Sequence, residues 1–438
     1  MHRVGSRVMG VELDELRAEA GAVGYREGRE WLFSPEPLRL SGSDVAQLER
    51  LGHPLRMFQQ ACDRIYRRSV NGTLPRWIAE LLDAGKPAWM VGAQRSDALR
   101  DVAPRVIRPD LLLMEEGFSL TELDGVPGGM GLTGWLSKCY DAAGCEVLGG
   151  GTGILEGFRS LLPEGGQVLI SEEADEYRPE MEWLVAALND SGGGPWRTGS
   201  AENFVPESSD AALYRCFELF DCESVPAARV LAARADLTPP FKPHFEEKLW
   251  LALLWSPALH EVWESEVRGN HLRRVQELVP YGWIVDPTPL PPHAALPRLE
   301  VNNWKQLAGF SQKMRRLALK ISGFSGLAWG SRGVVIGHDV SKEEWATALE
   351  TACAQFKSQP WILQEFSEAK VIEHPYFNPE NGVVETMRGR VRLCPYYFVD
   401  GDQKSHLGGC LAAIVPADKK KIHGMRDAIL TVCEAEEE

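Results

Sequence analysis

The 438-residue sequence predicts an α+β protein, and three observations carry that reading. Residues 44–82 repeat apolar positions with helical spacing, residues 106–124 and 317–416 show strand patterning, and residues 166–187 run from a short apolar stretch into a helix. In the first segment Leu55, Phe58, Cys62 and Ile65 fall on one helical face, with Arg64, Arg67 and Arg68 off it. Pro75 suits the first turn of a second helix, and the whole reads as a helical packing layer. In the third, Val168 to Ile170 forms a strand and residues 180–188 a helix, a βα unit. Residues 245–267, rich in Leu and Trp, predict one or two buried helices broken near Pro257. Pro287, Pro289, Pro291 and Pro292 exclude regular structure from residues 286–293, a stiff connector and the best candidate for a boundary. Strands are expected at 317–321, 334–336, 361–366, 391–399 and 407–415. Residues 1–45 are weakly patterned, and the Glu-rich C-terminal end reads as a solvated tail.

Length and composition bound the rest. A chain of this size makes two or three units of roughly 150 residues and buries about 75% of its unfolded surface, so no disulfide or metal staple is required. With 44% apolar and 25% charged residues, 42 Gly and 28 Pro, collagen-like and largely disordered classes are excluded. Lys plus Arg total 47 against 62 Asp plus Glu, a net charge of −15, which opposes a surface built for nucleic acid. Any anionic ligand must meet a local basic site. The nine cysteines form no C-x-x-C pair and read as reduced, mostly buried thiols. Without a signal-length or membrane-length apolar run, a soluble cytoplasmic protein is expected, with no nucleic-acid or membrane partner.

Two segments carry candidate chemistry. In the first, a three-residue turn at Glu115-Glu116-Gly117 sets Met114 opposite Phe118, Leu112 opposite Leu120, Asp110 opposite Glu122 and Arg108 opposite Asp124. All then share one face, apolar near the turn and acidic at its far end. Three carboxylates so gathered repel unless a cation sits between them, and hard oxygen ligands on a strand pair suit Mg²⁺, with Arg108 placed to hold a phosphoryl oxygen. An ordinary hairpin with a solvated acidic end fits the same spacing. In the second, a strand bearing Lys320 enters a loop rich in Gly and Ser, and the chain leaves as another strand. Backbone N–H groups of such a loop close over phosphates, with Lys320 adding a point charge. No Gly-Lys-Ser/Thr follows, so this is not a Walker loop; a long surface loop is the plain alternative. The glycine run 149–153 reads as a turn.

Together these segments resemble the ATP-grasp superfamily of carboxylate–amine ligases. Arg108-Pro109-Asp110, Glu122-Leu-Asp124 and Pro127-Gly128 are similar to the family's metal hairpin, Lys320 to its phosphate lysine, Gly330, Ser331, Arg332 and Gly333 to its covering loop, and residues 361–366 with Gln364, Glu365 and Phe366 to its hinge strand. The hairpin precedes the lysine by about 200 residues where the family places it last. The chain therefore resembles a circularly permuted, glutathionylspermidine synthase-like branch. Two departures stand out: Asp124 occupies a position where the family has Asn, and the loop lacks the branch's Arg-Glu-Gly pattern.

The resemblance implies a permuted ATP-grasp fold with a mostly helical layer at 1–100, the metal hairpin and its following segment at 101–160, and a pre-ATP-grasp βα subdomain at 161–240. A helical segment and connector fill 241–300, and the nucleotide-binding strands, glycine loop and C-terminal segment fill 301–438. It implies ATP and Mg²⁺ as cofactors, with Asp110, Glu122 and Asp124 on the metal and Lys320, residues 330–333 and Gln364 to Phe366 on the nucleotide. Arg108, Lys320 and Arg392 would act in catalysis, with Arg390 near the same site. The acidic run 172–176 fits attraction of an amine or a plain helix start; His406 and His423 fit substrate orientation or structure. The implied reaction joins a small-molecule or peptide carboxylate to an amine through an acyl phosphate, releasing ADP and phosphate. A phosphotransferase, or a silent nucleotide-binding protein, remains the alternative, and a homo-oligomer is left open.

Overall fold

A computed structural model describes residues 11–192, 194–206, 212–328, 332–419 and 427–436. β1 (Leu38–Leu40) and the hairpin β2 (Val106–Leu113) and β3 (Phe118–Asp124) open a large sheet. β4 (Gly166–Ile170), β5 (Trp196–Ser200), β6 (Leu213–Cys216) and β7 (Leu237–Thr238) form a parallel sheet in the order β5-β4-β6-β7. β8 (Gly282–Ile284), β9 (Leu317–Ile321), β10 (Val334–Ile336) and β11 (Trp361–Glu365) form an antiparallel sheet in the order β10-β9-β11-β8. β12 (Val371–Phe377), β13 (Val384–Val399), β14 (Ser405–Pro416) and β15 (Ile429–Ala435) return to the large sheet. Its order is β1-β15-β14-β13-β2-β3, with β12 also on β13.

β13 organises the molecule. Its first half pairs with β12, its second half with β2, and Gly389 to Val399 with β14. Odd-numbered Val391, Leu393, Tyr397 and Val399 pack with helix Gly42–Val70 and the helices between 249 and 278, while Cys394, Tyr396 and Phe398 pack with helices Met130–Ala142 and Gly153–Leu161. Period-two alternation thus gives one sheet two apolar faces, each covered by helices. Leu55, Phe58, Cys62 and Ile65 are all buried on the first of these faces.

Three expectations change. The C-terminal stretch is no tail: Ile429, Val432 and Cys433 are buried, and β15 lies between β14 and β1 inside the sheet. The apolar residues before the glutamates decide the strand. The weakly patterned start supplies β1 and a helix, Leu13–Ala20. The proline connector is not a seam between units, because β8 before it pairs with β11 after it. Proline forbids a ladder but not an excursion between strands of one sheet. All nine cysteines are free thiols and seven are buried. No helix among the described residues is long and apolar enough to cross a membrane.

Candidate active site

The hairpin pairs Arg108 with Asp124 and Asp110 with Glu122, then shifts register: Leu111 faces Leu120, Leu112 faces Ser119 and Leu113 faces Phe118. Thr121 is the extra residue, a β-bulge. The shift corrects the expected pairing near the turn. Leu111, Leu113, Phe118 and Leu120 enter the core, whereas Arg108, Asp110, Glu122 and Asp124 face a cleft. One inserted residue swaps the parity of β3, so the apolar and acidic ends use opposite faces.

The carboxylates meet the chain's own cations. Arg392 Nη1 donates to Asp110 at 2.9 Å, and Arg108 lies 3.3 Å from Asp110 while also pairing with Asp124. Cys394 Sγ donates to Asp110 at 3.5 Å. Burial alone would raise the Asp110 carboxyl, but Arg108 and Arg392 outweigh it and hold it below the usual carboxylate range. Glu122 pairs with Lys248, whose ammonium also donates to the Ala328 carbonyl at 2.8 Å. Burial pushes Lys248 down; Glu122 outweighs it and leaves the ammonium raised.

Lys320 differs. It is 8% exposed and donates to two neutral oxygens, the Thr121 carbonyl at 2.9 Å and Gln364 Oε1 at 2.8 Å. Burial pushes it down to about 8 despite the pull of Glu122. The bulge therefore does two things: it re-aims the carboxylates, and its carbonyl anchors the lysine of the other sheet.

Two clefts meet at this hairpin. The smaller, about 980 Å³, is lined by Lys320, Gln364, Glu365, Phe366 and Arg390 between the large and antiparallel sheets. The larger, about 2170 Å³, is lined by Arg108, Asp124, Tyr177, Glu218 and Arg332, among others. Asp110, Glu122 and Arg392 line both. Glu173 and Glu176 of the acidic run reach the larger cleft, as does Asp221, whose carboxyl burial and the Glu173 charge push to about 7. Burial, then Glu246 and Asp124, drives Glu218 well above the usual carboxylate range.

Other predicted residues sort by contact. Glu365 pairs with Arg298 at 3.2 Å, and Phe366 stacks edge-on with His338 at 4.6 Å. Arg390 braces backbone, donating to the carbonyls of Ala369 and Ala417. Arg332 lies 3.9 Å from Glu173, and the Gly333 carbonyl accepts from Ile321 N at 3.0 Å. A Cβ at Gly333 would meet Ile321 at 2.5 Å, so a side chain does not fit. Gly330, Ser331 and His423 lie outside the described residues. His406 pairs with Asp400 at 2.8 Å and lines neither cleft.

Lys248 was not among the predicted site residues, nor was Glu247, which accepts from both Lys86 and Ser322 and ties the N-terminal helices to the loop after β9. The signal available was density: residues 242–248 place two Lys, one His and two Glu among aromatics. Ionisable groups so frequent in a buried run need partners.

The fold resembles that of a glutathione synthetase-like effector. That protein, from Globodera pallida and solved in its apo form, aligns with a TM-score of 0.57 at 12% identity over 96% of each chain. At such identity the likeness speaks for the fold alone, a mixed α+β architecture. A second solved structure, from Methylobacillus flagellatus and provisionally named a gamma-glutamylcysteine synthetase, aligns at a TM-score of 0.39 and 12% identity over 85% of this chain and 84% of its own, too weakly to carry an argument. No protein-family profile and no curated protein matches the sequence.

Proposed function

We propose that the chain is an ATP-dependent carboxylate–amine ligase built on a circularly permuted ATP-grasp fold. The observation that carries the reading is the shared wall: Asp110, Glu122 and Arg392 line a small cleft bearing Lys320 and a larger one open to a second reactant. A phosphoryl group passing from nucleotide to acid must cross such a wall. Permutation is supported by β2 pairing with β13, which brings the early hairpin beside strands made after Lys320.

The nucleotide lies in the smaller cleft, its phosphates toward Lys320. A carboxylate resists amine attack because its anion is a poor electrophile, and ATP removes that resistance by forming an acyl phosphate. Arg392 and Arg108 draw charge from the phosphoryl group in transit, and Lys320 does so on the nucleotide side. The amine then displaces phosphate from the acyl carbon, giving an amide. Positioning and charge supply the catalysis, so no side-chain nucleophile is needed.

Mg²⁺ was expected on Asp110, Glu122 and Asp124. Each of these carboxylates is committed to Arg108, Arg392 or Lys248, and among the described residues no three acidic, His or Cys side chains stand close enough to share a metal. As placed they do not fit a metal ion, and no step here runs through one.

The test is ADP release from the full chain with pools of amino acids, short peptides and polyamines, with hydroxylamine added as a trap. An acyl phosphate gives a hydroxamate visible by mass spectrometry; ADP release without hydroxamate means phosphotransfer instead. Arg392→Gln, which still offers Asp110 a donor, is expected to lower turnover at least about 100-fold while keeping a cooperative melt. Full activity in that variant rejects the assignment of the wall.

A further inference from the structure

The segment ahead of β1 lines the larger cleft with Gly28, Arg29, Glu30 and Trp31. Arg26 and Arg29 exchange backbone hydrogen bonds of 3.4 and 2.9 Å, a tight turn that sets the following residues against the cleft. Trp31 is 5% exposed and held edge-on by Tyr25 at 4.9 Å and Phe33 at 5.9 Å. Its indole Nε1 is buried and, among the described residues, meets no acceptor. The same holds for Nη1 of Arg29. Two buried donors without acceptors at the wall of one cleft are uncommon in folded proteins and call for an acceptor from outside.

Nearby carboxylates do not supply it. Glu180 spends both oxygens on the N–H groups of Gly129 and Leu132, at 2.7 and 2.9 Å. Glu30 Oε2 accepts from Gly28 N at 3.1 Å. The Arg29 guanidinium lies over the Tyr177 ring, 5.3 Å from its centre, and Tyr177 in turn borders Gly128 at the exit of the β2–β3 hairpin. One tyrosine ring thus lies between Arg29 and the hairpin that carries Arg108. A planar cation and an indole N–H on the wall of one cleft are a recognition set for a carboxylate.

We propose that Arg29 and Trp31 form a carboxylate-binding subsite in the larger cleft, so that the acid substrate carries a second anionic group remote from the one that reacts. The word substrate rests on the ligase reading; the subsite itself does not.

The probe pair is glutarate and its monoamide, compared by thermal shift of the full chain without nucleotide. Glutarate is expected to bind about fivefold or more tightly than the monoamide, the contrast a charge-assisted hydrogen bond gives. Arg29→Gln and Trp31→Phe, which keep length and ring, are expected to remove that contrast while leaving the binding of a fluorescent ATP analogue unchanged, which also shows that they fold. Absence of glutarate stabilisation in the native chain, or unchanged contrast in both variants, overturns the subsite. If the contrast holds and depends on both residues but no hydroxamate forms in the trapping experiment, the ligase reading falls and the subsite stands.

Discussion

Lys320 shows how one side chain couples burial to chemistry. Its ammonium is held by two neutral oxygens and hidden from water, and that burial lowers its pKa to about 8 from an ordinary 10.5. Between those values the unfolded chain keeps the proton that the folded chain has lost, so the stability contribution rises with pH across that window, while the charge facing the small cleft disappears. Below pH 8 the charge is present and the desolvation penalty with it. Affinity for the ATP analogue is therefore expected to fall as pH passes upward through about 8, and Lys320→Arg, which stays protonated, is expected to lose that alkaline fall. An identical pH profile in the variant would show that Lys320 is not the group responsible.

At the scale of an element, the hairpin matters through its bulge. Deleting Thr121 would join Leu120 to Glu122, leave Glu122 and Asp124 on the cleft by simple alternation, and take away the carbonyl that anchors Lys320. The deletion is expected to keep a cooperative melt but weaken binding of the ATP analogue, whereas Thr121→Val, which keeps the extra residue and its carbonyl and loses one 3.2 Å hydrogen bond to the Asp110 carbonyl, should cost only about 1 kcal/mol and still bind the analogue. A deletion variant that binds the analogue as well as the native chain does would mean that Lys320 is held in place without the bulge. This is also where legibility in the sequence ends. Residue spacing was enough to pair Arg108 with Asp124 and Asp110 with Glu122, and apolar runs were enough to locate β9 and β10. Nothing in Ser-Leu-Thr-Glu announces an inserted residue, because a bulge is settled by what packs on each face. Lys248 was hidden for a related reason: its partner Glu122 lies on an element remote in sequence, and only the packed structure brings them together.

For the whole molecule, the C-terminal strand decides integrity. β15 joins β1 to β14 and contributes Ile429, Val432 and Cys433 to the two cores. A chain ending at residue 427 exposes an edge of β14 and strands β1, and it is expected to aggregate during size exclusion and to show no cooperative melt. A soluble, cooperatively melting truncation would return those residues to the status of a tail. The arrangement has a consequence for the chain as it is being made. Asp110 leaves the ribosome 282 residues before Arg392, its partner on β13. At about 5–20 residues per second, β2 waits on the order of 15–60 s for the strand that covers its edge. Until Lys248 is made, Asp110, Glu122 and Asp124 stand in water with Arg108 alone to offset them, and like charges on a bare strand discourage it from joining another nascent chain. Side chains that face a cleft in the finished protein thus act earlier as guards of an unfinished sheet.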